Sequence, residues 1–322
     1  MKPTWIWGAG KSAWARVGSR SAWARVIAVT AVSATAFVSP FLVDATRADA
    51  ATTAPATQPV ILLTDGSTSA VSAAQAVGGS VVNDFPDAGA AEASLTTTAL
   101  SALANSPGIT AVPDVQVSLQ DAPAVSTAPH TPSAVFPQET GADLLAQSGN
   151  TGQGVTVAVL DTGIDNLPDF SGRLVGGVDL TGEGNAFQDS YGHGTFVAGL
   201  IAGNGASSGG QYRGEAPGAN LVSIKVSGVS GVTTLGTVLA GVEWAIRHQA
   251  QYGIKVLNMS VGFQSLMSTV INPLDRAVEA AWKAGIAVVV SAGNAGPFNG
   301  TILSPGDDPL VITAGEIGRA HV

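Results

Sequence analysis

Three polar residues stand at the ends of predicted strands or the start of a predicted helix, and their types suit acid–base chemistry. Asp161 follows the largely apolar run 155–160, His193 opens a predicted helix, and Asn294 lies just beyond the apolar run 287–291. A carboxylate can orient a histidine, a neutral histidine can accept a proton, and an amide can donate a hydrogen bond to a developing oxyanion. Open α/β sheets hold their ligand sites at the carboxyl ends of their strands. These three residues are therefore the candidate catalytic set.

Each of the three also has a purely structural interpretation. Asp161 could cap the following turn, His193 could be a structural histidine, and Asn294 could be a turn residue that tolerates a left-handed backbone. The positive end of a helix dipole disfavours a charged histidine at a helix start. That effect keeps the imidazole neutral and favours its use as a base.

The segments that must position this set alternate between strand and helix patterns. Residues 155–160 have the composition of a strand buried on both faces of a parallel sheet. Further strands are predicted at 220–226, 256–260, 286–290 and 310–314, and helices at 193–202, 235–248 and 268–284. Residues 171–189 are rich in Gly and are predicted to be irregular, and we expect Gly194 and Gly199 to permit close helix packing. The alternation predicts an α/β fold with a doubly wound parallel sheet and helices on both faces.

A smaller unit is predicted before this α/β domain, over residues 51–120. Its patterns indicate strands at 59–63, 81–82 and 109–117 and helices at 69–77 and 95–104. The β-α-β-α-β order predicts a small α+β domain of the split βαβ type. Residues 121–140 are rich in Pro and Ser and are predicted to be an extended linker exposed to proteolysis.

The first 50 residues have the pattern of a secretory signal peptide. Five basic residues and no acid occur in residues 1–25, an uncharged stretch follows from Val26 to Val43, and Ala48-Asp49-Ala50 offers small residues for cleavage. The alternative is a transmembrane anchor, but the uncharged stretch is barely long enough and is diluted by hydroxyl residues and Pro40. We therefore predict a secreted protein with no membrane segment after cleavage.

The composition excludes several classes of function. The chain has 322 residues, no Cys and a formal net charge of −9. Without Cys there is no disulfide framework, no thiol nucleophile and no Cys-ligated zinc. The first 50 residues hold 6 of the 14 basic and 2 of the 23 acidic residues, so the remainder has 8 basic and 21 acidic residues and a charge of −13. Such an acidic chain lacks the basic surface that nucleic-acid binding needs.

Four segments, taken in order, resemble the motifs of the subtilisin-like serine proteases. Gly152–Asp165 is similar to the family's aspartate motif, Gly192–Gly199 to its histidine motif, Val256–Gly262 to its substrate-binding strand and Ala292–Asn294 to the segment with its oxyanion asparagine. Phe196 stands where many members have a second histidine. The order Asp then His, 32 residues apart, also suits this family.

The resemblance implies a role for each matched residue. Asp161 would orient and support His193, which would take the proton of a serine nucleophile and pass it to the leaving amine, and Asn294 would donate to the oxyanion. Six residues are implied to contact substrate, namely Ser260, Val261 and Gly262 beside its backbone and Ser291, Ala292 and Gly293 as a wall of the primary specificity pocket. Residues 231–233 are a weaker candidate for the opposite flank of a substrate strand.

The resemblance covers residues 141–315 as a peptidase domain and extends more faintly to 51–120, which is similar to the family's inhibitory propeptide. The implied partners are protein or peptide substrates and the chain's own propeptide, and we expect a monomer. Catalysis is expected to need no cofactor. Family resemblance leads us to expect structural calcium, although no motif indicates its ligands and no residue is assigned to a metal. Leu303 falls where the family forms the floor of the primary pocket, often with Gly, so we expect a shallow, neutral pocket.

One member of the family's catalytic set is missing from the sequence. The family's nucleophile lies in a Gly-Thr-Ser-x-Ala-x-Pro segment, whereas the only serine after Asn294 is Ser304, followed by Pro305-Gly306. We therefore predict a secreted serine endopeptidase whose chain, as given, lacks its nucleophile and is inactive alone. Residues 316–322 resemble a translated sequencing adapter and are expected to be a non-native tail. That tail favours a fragment, with an incomplete peptidase domain, over an inactive relative.

Three other interpretations compete with this one. Residues 159–163 also match the signature of pepsin-like aspartic proteases, but the sequence has no second copy and no all-β pattern. The glycines at 149, 152 and 154 precede a strand instead of following it, which disfavours a dinucleotide-binding site. A secreted, non-catalytic binding protein of the same family stays open. The genomic sequence beyond codon 315 would separate it from the protease.

Overall fold

The computed structural model describes residues 55–119, 136–265, 267, 269–296 and 298–315, which lie within one compact unit. The predicted signal peptide at 1–50, most of the predicted linker and the predicted tail at 316–322 lie outside the described residues. Within the described ranges, no helix is long and apolar enough to cross a membrane.

The first described part is a small α+β domain built on a four-stranded antiparallel sheet. Its elements are β1 (Thr57–Thr64), α1 (Ala70–Ala76), β2 (Ser80–Phe85), β3 (Ala90–Thr96), α2 (Thr97–Leu103) and β4 (Ile109–Pro113). The strand order is β2-β3-β1-β4. Ser69 and Thr96 cap α1 and α2, because each side chain accepts a backbone N–H from the first helical turn. One sheet face packs on both helices around Leu62 and Leu95.

The small domain differs from the predicted pattern in three places. Strand β3 was not predicted, and the helix expected at 95–104 begins only at Thr97. The alanines of β3 have little strand preference, and burial of alternate residues stabilises the strand instead. The strand expected at 109–117 is in fact two strands, β4 and β5 (Gln116–Leu119), separated at Asp114 and Val115. Only β4 belongs to the small sheet, and β5 pairs with the larger domain.

The larger domain is built around a six-stranded sheet. Its elements are α3 (Phe136–Glu139), α4 (Ala142–Gln147), β6 (Thr156–Asp161), β7 (Leu174–Asp179), α5 (His193–Ala202), β8 (Asn220–Lys225), β9 (Val232–Thr234), α6 (Leu235–Arg247), α7 (Gln249–Tyr252), β10 (Ile254–Met259), β11 (Val261–Gly262), α8 (Pro273–Lys283), β12 (Ala287–Ser291) and β13 (Ile312–Ala314). The sheet order is β13-β12-β10-β6-β8-β7, and all its pairings are parallel.

Strand β6 lies inside this sheet, and its side chains show how both faces are covered. Val157 and Val159 pack in one core cluster with α5, whereas Ala158 and Leu160 pack in another with α6 and α8. The small domain packs on α6 and α8, so its Ile61 belongs to the second cluster. The predicted doubly wound sheet with helices on both faces is confirmed.

Three predictions for this part of the chain also differ from the structure. The region 171–189 contains the edge strand β7, which its glycines concealed. A Cβ at Gly176 would lie 2.4 Å from the Tyr252 ring, so Gly is needed there for close packing. The helix expected at 268–284 begins only at Pro273, because Asn272 caps it and Pro at the first helical position fits a helix start. Part of the predicted extended linker, Phe136–Glu139, is a short helix.

Candidate active site

Asp161 and His193 form a hydrogen-bonded pair at the carboxyl edge of the parallel sheet. Asp161 is the last residue of β6 and is fully buried, and the His193 side chain at the start of α5 is 12% exposed. His193 Nδ1 lies 2.7 Å from Asp161 Oδ1. Because an ionised carboxylate only accepts hydrogen bonds, the proton in this bond belongs to Nδ1. Nε2 is then the ring nitrogen that can accept a proton.

The surroundings of the Asp161 carboxylate favour a positive charge on His193. Burial raises the pKa of Asp161, and the hydrogen bond and charge of His193 oppose that rise. Oδ1 also accepts the Thr162 N–H at 2.8 Å, whereas the buried Oδ2 has no hydrogen-bond partner among the described residues. A buried carboxylate with few donors is stabilised by a nearby positive charge. Asp161 can therefore stabilise the imidazolium that His193 becomes after taking a proton.

Close approach of α5 to β6 places His193 against Asp161. A Cβ at Gly194 would lie 2.2 Å from the Gly163 carbonyl oxygen, so only glycine fits at this helix position. The Gly194 N–H donates to Thr162 Oγ1 at 2.9 Å, which fixes the helix start to the strand end. The close packing expected at Gly194 is thus confirmed. The same expectation for Gly199 was wrong, because a Cβ there would meet nothing within 4 Å.

Asp189 holds the start of α5, and the sequence analysis did not identify it. Its carboxylate accepts the Gly192 N–H at 2.7 Å and the Thr195 N–H at 2.8 Å. Burial alone would raise the pKa of Asp189, but these backbone donors lower it overall. Asp165 reinforces the arrangement, since its Oδ1 accepts the Asp189 N–H at 2.8 Å. An acidic residue in the turn before a predicted helix was the signal that could have identified Asp189.

The ends of β10 and β12 bring the other predicted residues to the same edge as Asp161. In the sheet, β10 lies beside β6 and β12 lies beside β10. Because these strands are parallel, their carboxyl ends point to the same edge. Ser260 follows β10, and Val261-Gly262 form β11. Ser291 ends β12, and Ala292-Gly293 and the exposed Asn294 come directly after it. All six predicted substrate contacts and the predicted oxyanion donor therefore lie at this edge.

Leu303 lies between the two predicted substrate-binding segments. A Cβ at Gly293 would lie 2.6 Å from Leu303 Cδ1, and a Cβ at Gly262 would lie 3.1 Å from Leu303 Cβ. The Leu303 N–H donates to the Ala292 carbonyl oxygen at 3.0 Å. The isobutyl group thus occupies the space between β11 and the segment after β12.

An extended segment of the chain occupies the groove between β9 and β11. Strand β5 pairs antiparallel with both, so that Ser118 lies opposite Gly262 on one side and Val232 on the other. Val117 and Leu119 are buried, whereas Gln116 and Ser118 are exposed. The groove therefore binds backbone along both edges of a strand and contacts alternate side chains, which is the pattern of strand addition.

Gly231 connects this groove to the loop that precedes His193. Its carbonyl oxygen accepts the Leu119 N–H at 3.2 Å. A Cβ at Gly231 would lie 2.8 Å from the ring of Tyr191, two residues before His193. The strand-binding groove and the Asp161–His193 pair are therefore parts of one site.

Metal ligands are not grouped in this part of the protein. Within the described ranges, no cluster of three or more His, Asp or Glu side chains is arranged to hold a metal ion. The calcium expected from the family resemblance stays an expectation to which no residue is assigned.

The parallel sheet, the Asp–His pair at its edge and the strand-binding groove together define a protein of the subtilisin-like class. Comparison with known families agrees, because the model of the subtilase family matches residues 152–321. The match extends over more than half of the chain. The chain belongs to the subtilase family.

Individual relatives match parts of this chain. Serine protease AprX of Bacillus subtilis is 48% identical over 172 residues, which cover 52% of this chain and 39% of that protein. Subtilisin Savinase of Lederbergia lenta is 42% identical over 148 residues, which cover 46% of this chain and 51% of that protein. Fervidolysin from Fervidobacterium pennivorans, a keratinolytic enzyme related to subtilisin, has a similar fold, with a TM-score of 0.61 at 24% identity over 80% of this chain and 43% of that chain. The chain spans about half or less of the length of these relatives.

Proposed function

We propose that the protein acts as a secreted serine endopeptidase that hydrolyses peptide bonds through an Asp-His-Ser triad. The observation that carries the proposal is the 2.7 Å hydrogen bond between His193 Nδ1 and the buried Asp161, beside a groove that binds an extended strand. Membership of the subtilase family supports the reaction class. The basic leader and the uncharged stretch that follows it support secretion.

Each group has one task in this mechanism. Asp161 keeps a proton on Nδ1 of His193, so Nε2 can take the proton of a serine hydroxyl while that oxygen attacks the substrate carbonyl carbon. The C–N bond of the tetrahedral intermediate then breaks as Nε2 gives the proton to the leaving amine. The acyl-enzyme that results is hydrolysed by water. Asn294, at the same edge, would donate a hydrogen bond to the oxyanion. These steps need no cofactor.

We propose further that the nucleophile is not among the 322 residues. Ser304 is the only serine after Asn294, and it is 1% exposed. Its Oγ donates to Asp275 Oδ1 at 2.8 Å and accepts from Asn272 Nδ2 at 2.7 Å. A buried hydroxyl that donates to another carboxylate cannot serve His193. The chain by itself should therefore hydrolyse no peptide bond and should keep its small domain attached.

The small domain and β5 are proposed to be an inhibitory propeptide. Strand β5 fills the groove in which a substrate strand would pair, and Val117 and Leu119 are buried there. Asp114, just before β5, accepts the Gly236 N–H at 2.8 Å and so binds the start of α6. These contacts support a domain that stays bound until the 121–140 linker is cut.

The proposed substrate is an extended protein or peptide segment with a small or medium apolar residue before the scissile bond. Leu303 occupies space that a long side chain would need, and overpacking such a site costs about 1–3 kcal/mol. Residues 260–262 and 291–293 contain no acid, so Arg or Lys would find no partner there. Burial of Val117 and Leu119 supports aliphatic residues further from the cut.

A secreted, non-catalytic binding protein with the subtilase fold is the second candidate. The observation that favours it is the burial of Ser304, which leaves no family-type nucleophile in the sequence. Both candidates share the fold and the groove, and only the serine separates them.

A chimera tests the proposal. Residues 1–315 would be continued by the C-terminal part of a subtilase that carries the family's Gly-Thr-Ser segment. The chimera is expected to release its small domain, hydrolyse peptides and react with a fluorophosphonate probe, while the 322-residue chain does none of these. A chimera that folds but hydrolyses nothing would support the binding protein. Labelling of the 322-residue chain by the probe would contradict the missing nucleophile.

A further inference from the structure

Behind Leu303 lies a chain of three buried polar side chains that no catalytic step uses. Asn272 and Asp275, at the start of α8, are fully buried, and Ser304 is 1% exposed. Asn272 Nδ2 donates to Ser304 Oγ at 2.7 Å, and Ser304 Oγ donates to Asp275 Oδ1 at 2.8 Å. Asn272 is itself fixed, because its Oδ1 caps the helix by accepting the Leu274 N–H at 3.0 Å. The start of α8 thus holds the Ser304 side chain.

The backbone around Ser304 transmits this anchoring to the pocket. Ser304 and Phe263 exchange two backbone hydrogen bonds, with N–O distances of 3.1 Å and 3.2 Å. Leu303, the preceding residue, donates its N–H to Ala292 and fills the space between Gly262 and Gly293. Moving Ser304 would therefore move Leu303 relative to both walls of the pocket.

We propose that Asp275 is a positioning residue for the primary pocket, which acts through Ser304 to hold Leu303 between Gly262 and Gly293. In this way Asp275 controls how strongly the pocket discriminates against large side chains. This inference rests on the proposed function and extends it from the residue that forms the floor to the residue that holds the floor in place.

The charge of Asp275 makes this control sensitive to pH. Burial, together with the charges of Asp307, Asp308 and Glu279, raises the pKa of Asp275 to about 7, although the hydrogen bond from Ser304 lowers it in part. The positive charge of Lys283 opposes the rise that burial causes in the pKa of the neighbouring Asp308. A hydrogen bond to an ionised carboxylate is stronger than one to a neutral carboxyl group. The anchoring of Ser304, and with it the discrimination, should therefore increase as the pH rises through about 7.

Nuclear magnetic resonance on the 322-residue chain tests the anchoring without any activity. The ¹³C-methyl signals of Leu303, assigned with Leu303→Ile, would be followed from about pH 5 to about pH 9 beside the carboxyl carbon of Asp275. We expect both to titrate with one midpoint, and Asp275→Asn to abolish the Leu303 titration. Asp143→Asn, in α4, is the matched control and should leave the titration unchanged.

The chimera tests the effect on specificity. The measured quantity is the ratio of kcat/KM for substrates with Ala and with Phe before the scissile bond, because the protonation of His193 in the free enzyme cancels in this ratio. The ratio should rise through about pH 7 in the parent chimera and stay flat in Asp275→Asn. Ser304→Ala should lower it about tenfold. In a Leu303→Gly background, Ser304→Ala should no longer change the ratio, since the side chain that it positions is gone.

The two experiments separate failure of this inference from failure of the proposed function. A chimera that hydrolyses nothing would refute the proposed function. The Leu303 titration would still test, without any activity, whether Asp275 anchors Ser304 and Leu303. A Leu303 signal that does not titrate, or that still titrates in Asp275→Asn, would overturn the inference. So would a Ser304→Ala effect of the same size with and without Leu303.

Discussion

Replacing Asp275 with Asn should make the stability of the chain less dependent on pH. The pKa of Asp275 rises from 3.8 to about 7 on folding, because burial disfavours its charge. The folded chain then binds this proton more tightly than the unfolded chain, so stability falls as the pH rises from about 4 to about 7. At 1.36 kcal/mol per pKa unit, the loss from this one group is about 4 kcal/mol. Asparagine keeps the shape and the acceptor for Ser304 but carries no charge.

Urea unfolding of the 322-residue chain at about pH 5 and about pH 8 measures this effect. The difference in unfolding free energy between Asp275→Asn and the parent should shift in favour of the variant by about 2–3 kcal/mol between the two pH values, because about two of the pKa units lie between pH 5 and the folded-state pKa of about 7. The other titrating groups are common to both chains and cancel in the difference to a first approximation. Asp143→Asn serves again as the control for the loss of one carboxylate. An equal difference at both pH values would show that folding does not raise the pKa of Asp275.

Three further predictions concern packing and specificity. Gly194→Ala should destabilise the chain by about 1–3 kcal/mol in thermal or urea unfolding, because the added Cβ would overlap a backbone oxygen. Gly199→Ala places its Cβ in open space and should stabilise the chain by up to about 1 kcal/mol. Equal effects of the two substitutions would contradict the close packing at Gly194. Leu119→Ala should lower stability by about 2–5 kcal/mol and speed hydrogen exchange in the small domain. Gln116→Ala, on the exposed face of β5, should do neither. Indistinguishable exchange in the two variants would mean that β5 does not hold the small domain in place. In the chimera, Leu303→Gly should extend cleavage to Phe and Tyr before the scissile bond in a peptide library, and an unchanged profile would remove Leu303 from the pocket floor.

The sheet and the catalytic pair could be predicted because their signals are local. An aliphatic run that ends in Asp161 is typical of a buried parallel strand, and the small residues after His193 indicate a closely packed helix. Both signals depend on residues adjacent in sequence. The alternation of strands and helices then brings the two to one edge of the sheet, without knowledge of any distant contact.

The parts that the sequence did not predict depend on distant contacts. Strand β3 is rich in alanine and is stabilised by pairing with β1 and β2, and β7 is rich in glycine and is stabilised at the sheet edge by β8. The partners of Asp189 become apparent only once α5 has been placed. Ser304 was recognised as a poor nucleophile from its neighbours in sequence. Its bonds to Asn272 and Asp275 join residues about 30 positions apart and carry no local signal.

His193, oriented by Asp161, is proposed to be the general base of a peptidase. The most direct measurement is steady-state kinetics of the chimera carrying His193→Ala or Asp161→Asn. Asparagine keeps the shape of the site but favours the wrong imidazole tautomer, so kcat should fall by about 10⁴-fold in Asp161→Asn and at least as far in His193→Ala, while KM changes little. Retention of more than about a tenth of the parent activity by either variant would remove that residue from the catalytic set.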